Sequence, residues 1–310
     1  MSDISVSRRR FGQGALALMG AGLVVPAALA QDAAGATKTI TTSAGTYDIP
    51  LEPQRLIAVD HRLDLEPALA LGLPVIGYSL RDNLAAWVPV AEGTTFIGSP
   101  PTQELLLSYD PDLIFCTDLP GTKMWPIDQL AAVAPVIPVD YELDWKDNLN
   151  RIGAWMDRTE QAAAFIADYQ SMVDALKAKA GDKLSRKVAA VWYDQDGGNI
   201  QLMLGAGTAN VTLAGQVLHD LGGVTVDGSL LGEYGMVSME LAPEVLSDVD
   251  AILIDSSFEE QLAAMEASPI WQRLPAVAAG RVYRTTGTFY GGGYSAKRLV
   301  GEWEKVFDLL

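Results

Sequence analysis

Residues 144–180 read DWKDNLNRIGAWMDRTEQAAAFIADYQSMVDALKAKA. The segment has no proline and one glycine, Gly153. Its apolar residues Leu149, Ile152, Trp155, Met156, Phe165, Tyr169, Met172, Val173 and Leu176 recur mostly at intervals of three and four, the spacing of one helix face. Bounded by Pro138 and Gly181, the segment predicts a helix of roughly 50 Å at about 1.5 Å per residue. Such a rod joins two structural units stiffly, where a flexible linker would leave them independent. Two ordinary helices with a break near Gly153 fit the same pattern.

Outward from this rod, both flanks alternate short apolar strands with helices. Before it stand Arg55-Leu-Ile-Ala-Val-Asp60, a helix over 64–71 ended by Gly72, Pro74-Val-Ile-Gly-Tyr78, a helix over 102–109, Pro111-Asp-Leu-Ile-Phe-Cys116, a helix over 128–133 and Pro135-Val-Ile-Pro-Val139. After it the order returns: Lys187-Val-Ala-Ala-Val191, a helix over 211–221 ended by Gly222-Gly223, Val224-Thr-Val226, a helix over 240–246, Ala251-Ile-Leu-Ile254, a helix over 270–278 and Arg281-Val-Tyr283. This alternation predicts an α/β chain with two doubly wound lobes bridged by one long α-helix, a weak internal duplicate. The expected division is an N-terminal lobe over 31–143, the connecting helix over 144–180 and a C-terminal lobe over 181–310.

The chain has 310 residues, 49% of them apolar, enough to bury a substantial core. With 22 basic and 39 acidic residues its formal charge is −17, which repels phosphate and removes electrostatic support for nucleic-acid binding. Two histidines, His61 and His219, and one cysteine, Cys116, exclude a disulfide framework and a histidine- or cysteine-clustered metal site. Cys116 reads as a small apolar residue of a buried strand. Residues 1–30 read as an export signal: Ser7-Arg8-Arg9-Arg10-Phe11, an apolar stretch over 12–25, and Ala28-Leu29-Ala30 as the cleavage pattern. The apolar stretch is shorter than the ~20 residues a spanning helix needs, and the paired arginines are of the twin-arginine type. The expected product is a soluble periplasmic protein.

Signals for catalysis are weak. No G-x-S-x-G nucleophile elbow occurs, since Gly293-Tyr-Ser295-Ala-Lys297 lacks the closing glycine. Gly205-Ala-Gly207-Thr-Ala-Asn210 misses the third glycine of a dinucleotide fingerprint, and Asp194 and Asp196 beside Gly197-Gly198 suit a turn. The chain therefore reads as a binding module and not as an enzyme. A twin-arginine-exported enzyme with a cleft-bound cofactor is the rival class.

Ligands of open α/β sheets bind beyond the carboxyl ends of the strands. The loops there carry His61 and Arg62, then Arg81 and Trp87, then Trp125, with Tyr193, Tyr234, Phe289 and Tyr290 in the second half. Aromatic faces with a few cationic donors suit a bulky, partly apolar ligand. Each ring has a structural reading as well, and His61 either touches ligand or satisfies its loop. Glu104 and Glu240 occupy equivalent places in the two halves, each two residues after a Thr or Ser at a helix start. They either complement helix N-termini or present one charge per lobe to a partner.

Thr102-Gln-Glu104 with Pro111-Asp112, Val237-Ser-Met-Glu240, Ser268-Pro-Ile-Trp-Gln-Arg-Leu-Pro275, Ala279-Gly-Arg-Val282 and Phe289-Tyr-Gly291 followed by Ser295-Ala296 occur in an order that resembles the periplasmic substrate-binding proteins of iron-siderophore and cobalamin ABC importers. The resemblance covers nearly the whole mature chain and is strongest to the ferric-hydroxamate-binding type. It implies a soluble periplasmic receptor that binds a ferric siderophore in the inter-lobe cleft and delivers it to an inner-membrane ABC permease for iron uptake. Glu104 and Glu240 would then pair with arginines of the permease, and Trp87 and Tyr290 match ligand-facing positions. The receptor would act as a monomer without a cofactor of its own, iron entering only as part of the chelate. Cobalamin and haem are the alternative ligands of the same fold. Gly98-Ser-Pro-Pro-Thr102 lacks the ligand-binding arginine of the hydroxamate type, and Gly232 and Thr288 stand where its tryptophans fall, so the resemblance implies a rebuilt pocket.

Overall fold

The computed structural model describes residues 35–310 except 82–84, 100, 120–121, 123, 194–197, 205–211, 233–234, 257–258 and 287–288. The expected signal segment, Asp194, Asp196, Tyr234 and the glycine-rich run 205–210 lie outside the described residues. Within them, no helix is long and apolar enough to cross a membrane.

An antiparallel hairpin, β1 (Thr37–Thr42) and β2 (Gly45–Pro50), precedes the N-terminal lobe. That lobe runs β3 (Leu56–Ala58), α1 (Leu65–Ala70), β4 (Val75–Tyr78), β5 (Thr95–Phe96), α2 (Gln103–Tyr109), β6 (Leu113–Asp118), α3 (Ile127–Leu130) and β7 (Val136–Asp140). Its sheet is parallel throughout, in the order β5-β4-β3-β6-β7. Two helices follow, α4 (Trp145–Trp155) and α5 (Thr159–Ala180). The C-terminal lobe then runs β8 (Val188–Tyr193), β9 (Asn199–Leu202), α6 (Leu213–Asp220), β10 (Met236–Ser238), α7 (Ala242–Val245), β11 (Ala251–Asp255), α8 (Glu259–Glu266), α9 (Pro269–Gln272), α10 (Pro275–Ala278), β12 (Val282–Thr285) and α11 (Gly293–Asp308).

The second sheet has the order β10-β9-β8-β11-β12. Numbered within each lobe, both sheets read 3-2-1-4-5, so the duplication is topological. One strand departs from the parallel plan: β9 is antiparallel to β8 and to β10. The link 194–198 is far shorter than the dozen or more residues a parallel crossover requires. Because β9 takes the edge beside the end of β8, the strand expected at Val224-Thr-Val226 is reduced to one bridge, from Val224 to Lys187.

The connecting rod also differs from a single 144–180 helix. The break falls at Met156–Arg158, where Asp157 adopts a left-handed φ of 51°. Arg158 N–H reaches back to the Gly153 carbonyl at 2.7 Å, the long-range bond that closes a helix over a left-handed residue. Gly153 allows the corner to be tight, since a Cβ there would stand 3.0 Å from Ala162 Cβ and 3.2 Å from the Arg158 carbonyl oxygen. Lys38 of the hairpin donates to Ala154 O at 2.8 Å and to Asp157 Oδ1 at 2.5 Å, tying the corner down. The long bridging helix is therefore α5, 22 residues and roughly 33 Å. The shorter α4 packs on the first sheet.

α5 lies against α11 and α4, and its buried face carries Ala162, Tyr169, Val173, Leu176 and Ala180. Trp145 of α4 meets Phe165 and Tyr169 edge-on at 6.2 and 5.0 Å between centroids, and Phe165 meets Tyr294 of α11 at 4.9 Å. Tyr169 Oη donates to Asp220 Oδ2 at 2.7 Å, and Lys146 Nζ reaches the same carboxylate. One apolar core thus runs from Leu56 and Phe115 through Trp145 and Tyr169 to Val188, Leu213 and Trp303, while the far face of each sheet has a cluster of its own.

Gly293 opens α11 against this ring cluster, and a Cβ there would lie 2.3 Å from Phe165 Cε1 and 2.9 Å from Trp145 Cζ3. The Trp145 ring is buried and backs the half-buried Phe165 ring edge-on. Gly293→Ala is expected to lose about 1–3 kcal/mol of unfolding free energy in urea denaturation, and an unchanged midpoint would contradict this packing.

Candidate functional site

The described ends of the two sheets face a groove of about 690 Å³. From the N-terminal lobe it is lined by His61 and Arg62 after β3, Arg81 and Trp87 after β4, and Glu66 of α1; from the other lobe by Trp192 near the end of β8, Asp255 at the end of β11, Glu259 of α8, and Phe289, Tyr290 and Ser295. All these loops leave the carboxyl ends of their strands, where open α/β sheets form sites.

The β3–α1 turn is held by buried carboxylates. Asp60 is fully buried and accepts from Arg62 N at 2.7 Å and Leu63 N at 3.1 Å, while its two oxygens take Arg62 Nε at 3.3 Å and a terminal nitrogen at 3.2 Å. Burial alone would raise its pKa, but the Arg62 guanidinium outweighs that and holds the carboxyl below the usual range. Asp64 accepts from Asp60 N at 2.7 Å and Thr117 Oγ1 at 2.8 Å, and burial, reinforced by the charge of Asp60, pushes its pKa well up. The bonds from Asp60 hold Arg62 over the Tyr290 ring, 5.6 Å from its centroid. Burial pushes the His61 pKa down to about 4 against the pull of Asp60, so the ring is neutral at neutral pH. Its Nδ1 is buried without a hydrogen-bond partner, 3.8 Å from Asp60 Oδ1. Leu80, left-handed at φ 77°, turns the chain out of β4 and presents Arg81.

The two lobes meet at a second buried carboxylate. Glu66 accepts from Ser295 N at 2.8 Å and Ser295 Oγ at 2.5 Å, so an acid of the first lobe caps the first turn of α11. The run Gly291-Gly-Gly293 makes room for it, since a Cβ on Gly291 would stand 2.7 Å from Glu66 Oε1 and one on Gly292 would stand 2.9 Å from Glu66 Cβ. Trp87 Nε1 donates to the same Ser295 hydroxyl at 3.2 Å, and Arg298 covers the Trp87 ring. Tyr290 is pushed up to about 12, chiefly by burial, and stays protonated.

Of the residues singled out from sequence, His61, Arg62, Arg81, Trp87, Phe289 and Tyr290 share this groove, Phe289 being almost wholly buried. Trp125 does not. It packs 5.8 Å from Tyr141 in the core of the first lobe and borders a separate hollow of about 920 Å³ beside Glu104. Tyr193 points to the far side of its sheet with Ala189 and Val191, and the pleat gives the groove Trp192 instead. Tyr234 lies outside the described residues. Glu104 is exposed in the first turn of α2, where Thr102 Oγ1 supplies the cap. Glu240 is exposed in a short helical turn, Met239–Leu241. Glu66, Trp192, Ser295, Asp255 and Glu259 escaped the sequence reading, although three consecutive glycines do announce a close approach. Cys116 is fully buried and free, its thiol pushed up by burial. Among the described residues no three His, Cys, Asp or Glu converge as metal ligands.

Burial raises the Glu66 pKa from 4.5 to about 7. A carboxyl more basic in the folded than in the unfolded state favours folding below the unfolded pKa and loses that contribution as pH rises through the folded one. The stability of the wild type relative to Glu66→Gln is expected to fall by roughly 3 kcal/mol between pH 4.5 and 8 in urea titrations. Parallel pH profiles for the two proteins would rule out titration of Glu66 in this range.

Comparison with known proteins agrees with this architecture. The chain is 26% identical to the ferric enterobactin-binding periplasmic protein FepB of Escherichia coli O6:H1, over 94% of this chain and 97% of that protein. It is 23% identical to the iron(3+)-hydroxamate-binding protein FhuD of Escherichia coli K12, over 81% and 86%. Among solved structures, Staphylococcus aureus SirA complexed with staphyloferrin B superposes with a TM-score of 0.67 at 21% identity, over 88% of this chain and 98% of SirA. Residues 98–288 match the family described as periplasmic binding protein, and the chain belongs to that family.

Proposed function

We propose that this protein is a soluble periplasmic receptor that captures a ferric siderophore in the groove between its lobes and hands it unchanged to an inner-membrane ABC permease. The observation that carries the reading is one groove of about 690 Å³ built from both lobes and walled by Trp87, Trp192 and Tyr290. A chelate brings its own oxygen ligands to iron, so its receptor needs rings and a few polar groups, and no metal ligands of its own. The relatives, named for ferric siderophores, support the same ligand class. Export through the twin-arginine-type leader of residues 1–30 and action as a monomer without a resident cofactor belong to this reading.

Glu104 and Glu240 are exposed, one on each lobe, and neither forms an ion pair among the described residues. Two separated carboxylates of this kind suit docking on cationic residues of a permease and would fix the receptor's orientation.

Titration with ferric chelates is expected to quench tryptophan fluorescence, more weakly in Trp87→Phe and Trp192→Phe but unchanged in Trp125→Phe. Quenching by cobalamin or haem alone would overturn the siderophore reading. Reversing Glu104 and Glu240 together to Arg is expected to cut chelate uptake by permease-containing vesicles at least about tenfold with unchanged chelate affinity. Unimpaired uptake would remove the docking role.

A further inference from the structure

Trp87 belongs to the N-terminal lobe, yet its ring is held from the C-terminal one. The residue stands in a turn closed by Val88 N–H to Ala85 O at 3.0 Å, outside any strand or helix. Two directed contacts reach its ring from α11. Ser295 Oγ accepts the indole N–H at 3.2 Å, and because the one hydroxyl proton goes to Glu66 at 2.5 Å, the lone pairs are left for the indole. Arg298, three residues further along the same helix face, sets its guanidinium carbon 5.6 Å from the ring centroid. Arg298 is in turn ion-paired with Glu302, four residues on and 1% exposed, so the guanidinium is itself anchored.

Among the described residues Trp87 lines the groove and Arg298 does not. A guanidinium over an indole face is attracted by the ring, and its flat shape stacks there better than an ammonium group. With its N–H bonded and one face covered, the ring keeps a single orientation and offers its remaining face to the groove. A ring free to turn would have to be ordered on capture, at a cost in affinity. We propose that Arg298 is a positioning residue of the ligand site: anchored by Glu302, it locks the Trp87 ring as a groove wall across the lobe boundary without touching the ligand. The proposal rests on the reading of the groove as a ferric-chelate site, while the placement of the ring is independent of the ligand's identity.

Two measurements on the full mature chain separate placement from binding. The variant is Arg298→Gln/Glu302→Gln, which removes both charges together and so leaves no buried carboxylate uncompensated. In protein isotope-labelled at the tryptophan indole nitrogens, the Trp87 resonance is assigned by its loss in Trp87→Leu. That resonance is expected to shift and its proton to exchange at least about tenfold faster in the double variant, with Arg298→Lys in between. An unmoved resonance overturns the proposal whatever the ligand. Fluorescence titration with a ferric tris-catecholate and a ferric trihydroxamate then reads binding. The double variant is expected to bind the preferred probe about fivefold more weakly when Trp87 is present and equally well in the Trp87→Leu background. Equal losses in both backgrounds mean a general structural role for Arg298 and overturn the proposal, leaving the siderophore receptor standing. If neither chelate binds the wild type and cobalamin or haem does, the siderophore reading falls, and the same cycle run with that ligand decides the role of Arg298.

Discussion

The structure depends on a wedge of aromatic rings. Trp145 comes from the first lobe, Phe165 and Tyr169 from the bridging helix, and Tyr294 from the last helix of the chain, each ring set edge-on against the next. Separating the lobes would expose these faces and strip Tyr169 of its bond to Asp220, so the apolar core of the two halves is continuous. A shared core holds the two sheet ends at a set separation, and that separation is the groove. Under the proposed function the consequence is preorganisation: a groove whose walls are held apart by a shared core would give up little ordering entropy on capture.

Buried acids complete what the rings begin. Asp60 aims Arg62 through two side-chain bonds and Asp64 holds the same turn, while Glu66 crosses from one lobe to cap a helix of the other. A buried carboxylate is costly unless its oxygens are satisfied, and here each has a backbone or hydroxyl donor. The same arrangement makes the wall specific, because Ser295 receives both Glu66 and the Trp87 indole. The groove-lining Trp87 ring and the carboxylate that joins the lobes are therefore tied to one hydroxyl.

Several elements were legible before any fold was known. Apolar runs bounded by glycine and proline located β3, β4, β6, β7, β8 and β11, and Thr102 announced the start of α2 through its cap. Elements formed mainly by pairing or packing were not legible. β9 and β10 are too short to show a period, and the 293–308 helix begins with glycine, a poor local signal that only Phe165 and Glu66 explain. Periodicity also runs through the corner at Asp157, since three residues in tight turn geometry barely disturb an apolar stripe.

By itself the sequence determined the alternation of elements, the doubling of the lobes, the acidity of the chain, and most of the loop residues that meet in the groove, because these follow from local periodicity, composition and the rule that sites form beyond strand ends. Tertiary structure alone decided which face of β8 looks inward, placing Trp192 and not Tyr193 at the groove, and it turned Trp125 into the core. It also decided that Arg62 is paired with Asp60, while Arg81 has no ion-pair partner among the described residues. The physical reason is that facing, burial and charge balance arise between segments far apart in the chain: Glu66 and Ser295 are 229 residues apart and 2.5 Å from oxygen to oxygen.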